Sequence, residues 1–416
     1  MNAIRPTTAA SRLPTDLRGA ARLAADATAG ITDLVEAMHE RIARLPGSGG
    51  PAAGGRTQGL TGLIYKSIRG ATRLVGGSLD ALLALLEPAL DATGAAALPS
   101  PQREAVVAAL NGVLGDHLAE SGNPLAITMA LRREGRPLVL ERSALQARLP
   151  DATGRVLVLL HGLCMNDLQW HRDGHDHGEL LARELGCTSV YLHYNSGLHV
   201  STNGRELAGL LERLVAQWPV PVASLVLLGH SMGGLLARSA LQQAQQAGQQ
   251  WPARLTDLVF LGTPHHGAPL ERAGHGLDQV LGATPYVAPF TRLGRLRSAG
   301  ITDLRHGSLL DADWQGSDRF AHGRDSRRPV PLPDGVRCFA LAATTGRQAG
   351  DLKDRLLGDG LVPLASALGR HRSAARRLAF APGRQRIVEG TNHMELLSSP
   401  AVAAQLLQWL RPAAPG

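Results

Sequence analysis

Apolar positions along this chain follow two different repeats, and the change between them falls near residue 125. Before it the spacing is helical. Ile31, Leu34, Val35, Met38, Ile42 and Leu45 share one helical face, with Asp33, Glu36, Glu40, Arg41 and Arg44 around the other. The Gly/Pro-rich residues 46–57 read as a linker. A longer stripe follows, from Leu60, Leu63 and Ile64 through Ile68, Val75 and Leu79 to Leu86, stopped by Pro88. A shorter helix is expected over Arg103–Leu118. From Ala126 the pattern turns to short strands. Ala126–Arg132 and Arg136–Glu141, joined at Glu134-Gly135, predict an antiparallel hairpin. Apolar runs at Arg155–Leu160, Ser189–His193, Leu225–Leu228, Leu258–Leu261, Val336–Ala342 and Arg386–Val388 predict strands. Helical patterns at Glu206–Trp218, after Ser231 and at Val402–Leu410 accompany them. Strands of four to six apolar residues alternating with helices imply a mostly parallel sheet covered on both faces. Residues 268–334 break the rhythm with Gly, Pro, Arg and Asp and only broken helical patterns, at Leu277–Leu281 and Phe290–Leu296. Following a strand's C-terminal end, such an insertion is expected to form a cap or lid. The organisation expected is a helical extension over residues 1–122 and an α/β domain over 123–416.

Within that domain the chemistry centres on Ser224–Arg238, SLVLLGHSMGGLLAR. It reads as a buried strand, a tight turn carrying Ser231, and a helix leaving the turn. Gly229 and Gly233 flank the serine two residues to each side, where strand and helix nearly touch and bulk cannot be tolerated. Such a turn stands a serine hydroxyl at a helix N-terminus. The hydroxyl becomes a nucleophile only when a base removes its proton, and that base needs a carboxylate to orient it. Asp359, between Gly358 and Gly360, follows the strand at Val336–Ala342; Asp351 and Asp354 are the alternatives for the acid. His393 follows the last strand. The order Ser231, Asp359, His393 is the one a doubly wound hydrolase sheet uses. The main-chain N–H groups of Leu163 and Met232 are the candidate oxyanion donors. Around them His161, Gly162, Cys164, His230 and His265 are candidates for the substrate pocket. Packing or turn roles are the alternative for Cys164, His230 and His265. Glu395 is expected to cap or solvate the following helix.

Composition narrows the reading. The hydrophobic fraction of 44% is ordinary, and aromatic residues make up only 3%, so Ala, Leu and Gly must fill the interior. A net charge of +8 gives some attraction to anionic surfaces, but its arginines are dispersed, which argues against a specific nucleic-acid site. The 3 cysteines, Cys164, Cys187 and Cys338, indicate no disulfide framework. The segment His171–His177 holds residue types that suit zinc, yet its alternation lacks a ligand-set spacing, so a polar loop is expected and no metal is assigned. No dinucleotide or phosphate fingerprint occurs, and no cofactor is implied. The first 25 residues lack the apolar core of a secretory signal, and no apolar run reaches the roughly 18 residues of a membrane span. A cytoplasmic location is the default. Lys66, Arg69 and Arg73 flank the N-terminal apolar stripe, so peripheral contact with a membrane or lipid inclusion is the alternative to simple packing for residues 1–122. Oligomeric state is not legible.

The motifs LHGL (160–163), GHSMGGLLAR (229–238), GTPHHGAP (262–269), GDGLVP (358–363) and TNHMELL (391–397) resemble those of bacterial lipase- and esterase-like α/β-hydrolases. They are also similar to the catalytic domain of GPI inositol-deacylase-type proteins. The resemblance covers about residues 125–410. It implies an α/β-hydrolase fold and hydrolysis of a carboxylic ester with an apolar acyl group, through Ser231, Asp359 and His393 and an acyl-enzyme. Acyl transfer by the same triad, and a lipid- or granule-associated scaffold without activity, are the two rival readings.

Overall fold

The apolar runs pair into one sheet of eight strands. They are β1 (Ala130–Arg133), β2 (Arg136–Pro137), β3 (Arg155–Leu160), β4 (Thr188–His193), β5 (Ser224–His230), β6 (Leu255–Leu261), β7 (Arg337–Thr344) and β8 (Gln385–Glu389), in the order β2-β1-β4-β3-β5-β6-β7-β8. The six strands from β4 to β8 run parallel, and β1 is antiparallel to both its neighbours. Among the described residues the α-helices are α1 (Pro101–Glu120), α2 (Arg142–Arg148), α3 (His177–Leu185), α4 (Val200–Gln217), α5 (Met232–Gln246), α6 (Ala299–Asp303), α7 (Leu364–Ala367) and α8 (Pro400–Leu410). This computed structural model describes residues 101–268, 298–316, 325, 327–346 and 358–411, with Arg18, Gly19 and Arg22. The helices expected over 31–45 and 60–86, the linker between them, the patterns at 277–281 and 290–296, and Asp351 and Asp354 lie outside the described residues. The chain divides into two compact units, residues 1–100 with 118–126, and residues 101–117 with 127–416. In the first, Asn123 Nδ2 donates to the Gly19 carbonyl at 3.0 Å and Arg22 Nη1 to that of Gly122 at 2.8 Å.

Successive side chains of the central strands point alternately into two cores, both buried. Val156, Val158, Leu160, Leu225, Leu227, Leu258 and Phe260 face one core, which α4 and α5 complete with Leu207, Leu211, Leu236 and Ala240. Leu157, Leu159, Val226, Leu228, Val259 and Leu261 face the other, against Leu181 of α3 and Val402, Leu406 and Trp409 of α8. Both faces are covered, as near-continuous apolar strands require. The edge strand β8 carries exposed Arg386 and Glu389, which discourages pairing with another chain. Among the described residues no helix is long and apolar enough to cross a membrane.

The departures from expectation have local causes. The hairpin is shorter than predicted on both sides, and β2 ends at Pro137, which has no N–H to donate. Strand β6 begins at Leu255 rather than Leu258, because Asp257 is buried in an ion pair with Arg337 of β7 (2.7 Å). Helix α4 begins at Val200, six residues before Glu206, although its first turns carry Ser201, Thr202, Asn203 and Gly204. Its cap comes from a hundred residues away: Asp303 accepts from Val200 N at 2.8 Å and lies 3.1 Å from His199 Nδ1. Helix α3 went unpredicted, although Asp176 caps it through Glu179 N (3.0 Å) and Gly186 closes it in the left-handed region.

Candidate active site

Strand β5 and helix α5 meet at Ser231, whose backbone is held at φ 54°, ψ −123°. For a residue with a β-carbon this region costs roughly 1–3 kcal/mol and persists only where the surroundings enforce it. They do so here through the flanking glycines. A Cβ on Gly229 would lie 2.5 Å from Gly234 N, and one on Gly233 would overlap the carbonyl oxygens of Leu160 and His161. Ser231 N donates to the Leu261 carbonyl of β6 (2.8 Å), pinning the turn to the next strand. The serine therefore stands at the N-terminus of a 15-residue helix, at the positive end of its dipole, without a side-chain capping bond.

The loops after β7 and β8 bring Asp359 and His393 together. His393 Nδ1–H donates to Asp359 Oδ2 at 2.7 Å, and His393 N to the Asp359 carbonyl at 3.0 Å. The second carboxylate oxygen accepts from Leu361 N (3.0 Å) and Val362 N (2.8 Å). The carboxylate is thus buried and satisfied entirely by its imidazole and the main chain, and its bond to Nδ1 leaves Nε2 as the basic nitrogen. Two neighbours fix the imidazole. His230 Nε2–H donates to the His393 carbonyl at 3.1 Å, and burial keeps His230 neutral, well below the usual imidazole range. Gly262, at φ 57°, lets the end of β6 pass beneath the ring, where a Cβ would stand 3.1 Å from Nδ1 and Cε1.

Ser231, His393, His230, Gly162 and Leu163 line one cavity of about 400 Å³, together with apolar side chains that include Met165, Leu304, Leu361 and Val362. The lining does not include Met232, His161, Cys164 or His265, so three of the five expected pocket residues lie elsewhere. Cys164, at φ 60°, packs against α1 beside Gly112, and burial pushes its thiol up to about 12. His265 turns away to Arg238 (3.3 Å). His161 stacks on Tyr194, and its Nδ1–H donates to the Gly162 carbonyl at 2.9 Å. That carbonyl belongs to the same planar peptide as Leu163 N–H, and a trans peptide points the two in opposite directions. By holding one, His161 aims the other.

Two further polar clusters stand apart from the cavity lining. Arg132 lies 3.0 Å from Glu104 and 3.1 Å from Asp167, which is 3.1 Å from His193 Nδ1; all four side chains are buried. In the segment expected to be a polar loop, His177 Nε2–H donates to the Leu396 carbonyl (3.0 Å), so Nδ1 accepts from His175 Nε2–H (2.8 Å). Burial lowers His177 to about 4. With both nitrogens of His177 occupied, His175 and His177 serve the loop after His393; among the described residues no His, Cys, Asp and Glu cluster is arranged to hold a metal ion. Glu395, expected to cap or solvate the following helix, instead accepts from Asn392 N at 2.8 Å in the turn beside His393.

The sheet order, the left-handed serine between β5 and α5, and the acid and imidazole on the loops after β7 and β8 define an α/β-hydrolase fold. Within that class, residues 151–326 match the family model of the PGAP1-like alpha/beta domain, a stretch that includes Ser231 and ends before Asp359. No curated protein matches the chain by sequence. Similar solved structures include the mature lipase BlEst2 of Bacillus licheniformis, with 19% identity over 62% of this chain and 92% of that one and a TM-score of 0.40. Lipase B of Aspergillus fumigatus is 13% identical over 67% of this chain and 60% of its own, with a TM-score of 0.40. The thioesterase RedJ of Streptomyces coelicolor is 18% identical over 62% and 91%, with a TM-score of 0.36.

Proposed function

We propose that this protein is a serine carboxylic-ester hydrolase in which Ser231 is the nucleophile, His393 the general base and acid, and Asp359 the group that orients His393. The observation that carries the reading is the single cavity shared by Ser231 and an imidazole whose Nδ1 is held at 2.7 Å by a buried carboxylate. His393 Nε2 takes the Ser231 proton as Oγ attacks the ester carbonyl carbon. The resulting oxyanion accepts from Leu163 N–H and Met232 N–H, each such donor contributing about 3 kcal/mol in the transition state. Collapse of this intermediate breaks the ester C–O bond. His393 returns the proton to the departing alcohol and leaves an acyl group on Ser231. Water then attacks the acyl carbon, giving its proton to His393, and the acid departs as the serine hydroxyl is restored. Apolar lining favours an apolar acyl group. Residues 1–122 are proposed as an extension to this domain and residues 268–334 as its cap.

Ser231→Ala tests the reading. Hydrolysis of p-nitrophenyl esters should fall by at least about 1,000-fold with the thermal unfolding midpoint retained. Normal turnover by that variant would end the proposal.

A further inference from the structure

On the far side of the loop that follows β6, four arginines converge. Arg238, Arg327, Arg328 and Arg376 line a pocket of about 320 Å³ with His265 and Asp313. Their bonding differs in a telling way. Arg327 has its donors engaged: Nε and Nη2 hold the two oxygens of Asp325 at 2.9 Å, and Nη1 donates to the carbonyls of Gly307 (2.7 Å) and His265 (3.2 Å). Arg376 is tied to the same carboxylate and to the carbonyls of Asp325 and Arg327. Asp313 accepts from the main-chain N–H groups of Leu309, Leu310 and Arg328.

Arg238 and Arg328 are left over. Among the described residues neither forms an ion pair with a carboxylate. Arg328 is exposed at the pocket rim, whereas Arg238 is only 6% exposed. Arg238 Nη2 donates to the Val330 carbonyl (2.5 Å) and Nη1 to His265 Nδ1 (3.3 Å), while its buried Nε has no partner. Because His265 accepts at Nδ1, its proton sits on Nε2, and that N–H is likewise buried and unpartnered. Burial, with Arg327 nearby, lowers the Arg238 guanidinium to about 10, the response of a desolvated cation without its counter-charge. Among the described residues, two carboxylates, Asp313 and Asp325, against four guanidiniums leave an excess of two positive charges.

We propose that this pocket binds a phosphate group, with Arg238, Arg328 and the His265 N–H as its donors. A tetrahedral dianion matches both the excess charge and the several directions from which donors arrive; a planar carboxylate, with one charge, matches neither. The pocket shares a wall with the serine cavity, since Pro264 lines one and His265 the other. Phosphate would therefore brace the Gly262–Ala268 loop from behind. The inference stands on the pocket alone and not on the reading of Ser231.

Titration calorimetry of the full chain with inorganic phosphate, at constant ionic strength, tests it. One saturable site is expected, unchanged in Ser231→Ala, weakened about tenfold in Arg328→Gln and lost in Arg238→Gln. Should Arg238→Gln fail to fold, the exposed Arg328→Gln still decides. A second titration with sn-glycerol 3-phosphate separates the sources: tighter binding than inorganic phosphate assigns a phosphate monoester, equal or weaker binding free phosphate. Absence of saturable binding up to concentrations on the order of 10 mM, or equal affinity in Arg328→Gln, would overturn the proposal.

Discussion

Among the described residues of this α/β unit, His393 pairs with Asp359 at 2.7 Å and His193 with Asp167 at 3.1 Å, both buried, and their surroundings set the two pairs apart. Asp359 is satisfied by main-chain N–H groups and, among the described residues, meets no guanidinium, so its charge acts on one imidazole. Asp167 shares its charge with Arg132, which also binds Glu104. Burial works against ionisation of Asp167, yet His193 and Arg132 together hold its carboxyl below the usual range. His393 opens on a cavity beside a serine, whereas His193 is closed in by Glu104, 4.0 Å from Nε2. Pairing an acid with an imidazole therefore does not make a base. A free face beside the Ser231 hydroxyl, and a carboxylate that shares its charge with no guanidinium among the described residues, are what set the His393 site apart.

The sharpest way to break this comparison is to treat both acids alike. Asp359→Asn should lower kcat for ester hydrolysis by about 1,000- to 10,000-fold, because the imidazole loses its orienting acceptor. Asp167→Asn should leave kcat within about threefold but cost roughly 1–3 kcal/mol in urea unfolding, because Arg132 keeps Glu104 while it and His193 lose the charge of their shared acceptor. Equal losses of kcat would erase the distinction. A smaller effect belongs to His161. His161→Phe keeps the stack on Tyr194 but frees the Gly162–Leu163 peptide, so kcat should drop about 10- to 100-fold with KM little changed. A rise in KM alone would place His161 in substrate binding instead.

The last effect is one of pH. His177 is neutral in the fold, its pKa lowered to about 4, and titrates near 6.5 when unfolded. Between those values the unfolded chain binds the extra proton, so its contribution to stability is present above pH 6.5 and is lost as pH falls towards 4. Relative to His177→Gln, the wild type should lose about 1.4 kcal/mol of unfolding free energy per pH unit across that window. Parallel stability curves would contradict the burial argument.

The central strands were legible because a strand buried on both faces reads as a near-continuous apolar run, and β3 is found with the limits expected, Arg155–Leu160. The serine turn was legible for a steric reason, since only glycine fits two residues on either side. Long-range polar contacts were not. Asp303 caps α4 across a hundred residues, and Asp257 enters β6 only because Arg337 waits on the next strand. The same limit explains the pocket assignments. His161, Cys164 and His265 adjoin site loops in sequence, but their side chains turn to Gly162, α1 and Arg238. A signal for part of this existed: a charged residue inside the apolar run of α5, Arg238, marks a helix face that needs a polar partner.

The most direct test of the account is to trap the nucleophile. Treatment with a fluorophosphonate ester, followed by peptide mass mapping, should place one adduct on Ser231, absent from Ser231→Ala and formed far more slowly in His393→Ala. An adduct on any other residue, or none while ester hydrolysis proceeds, would contradict it.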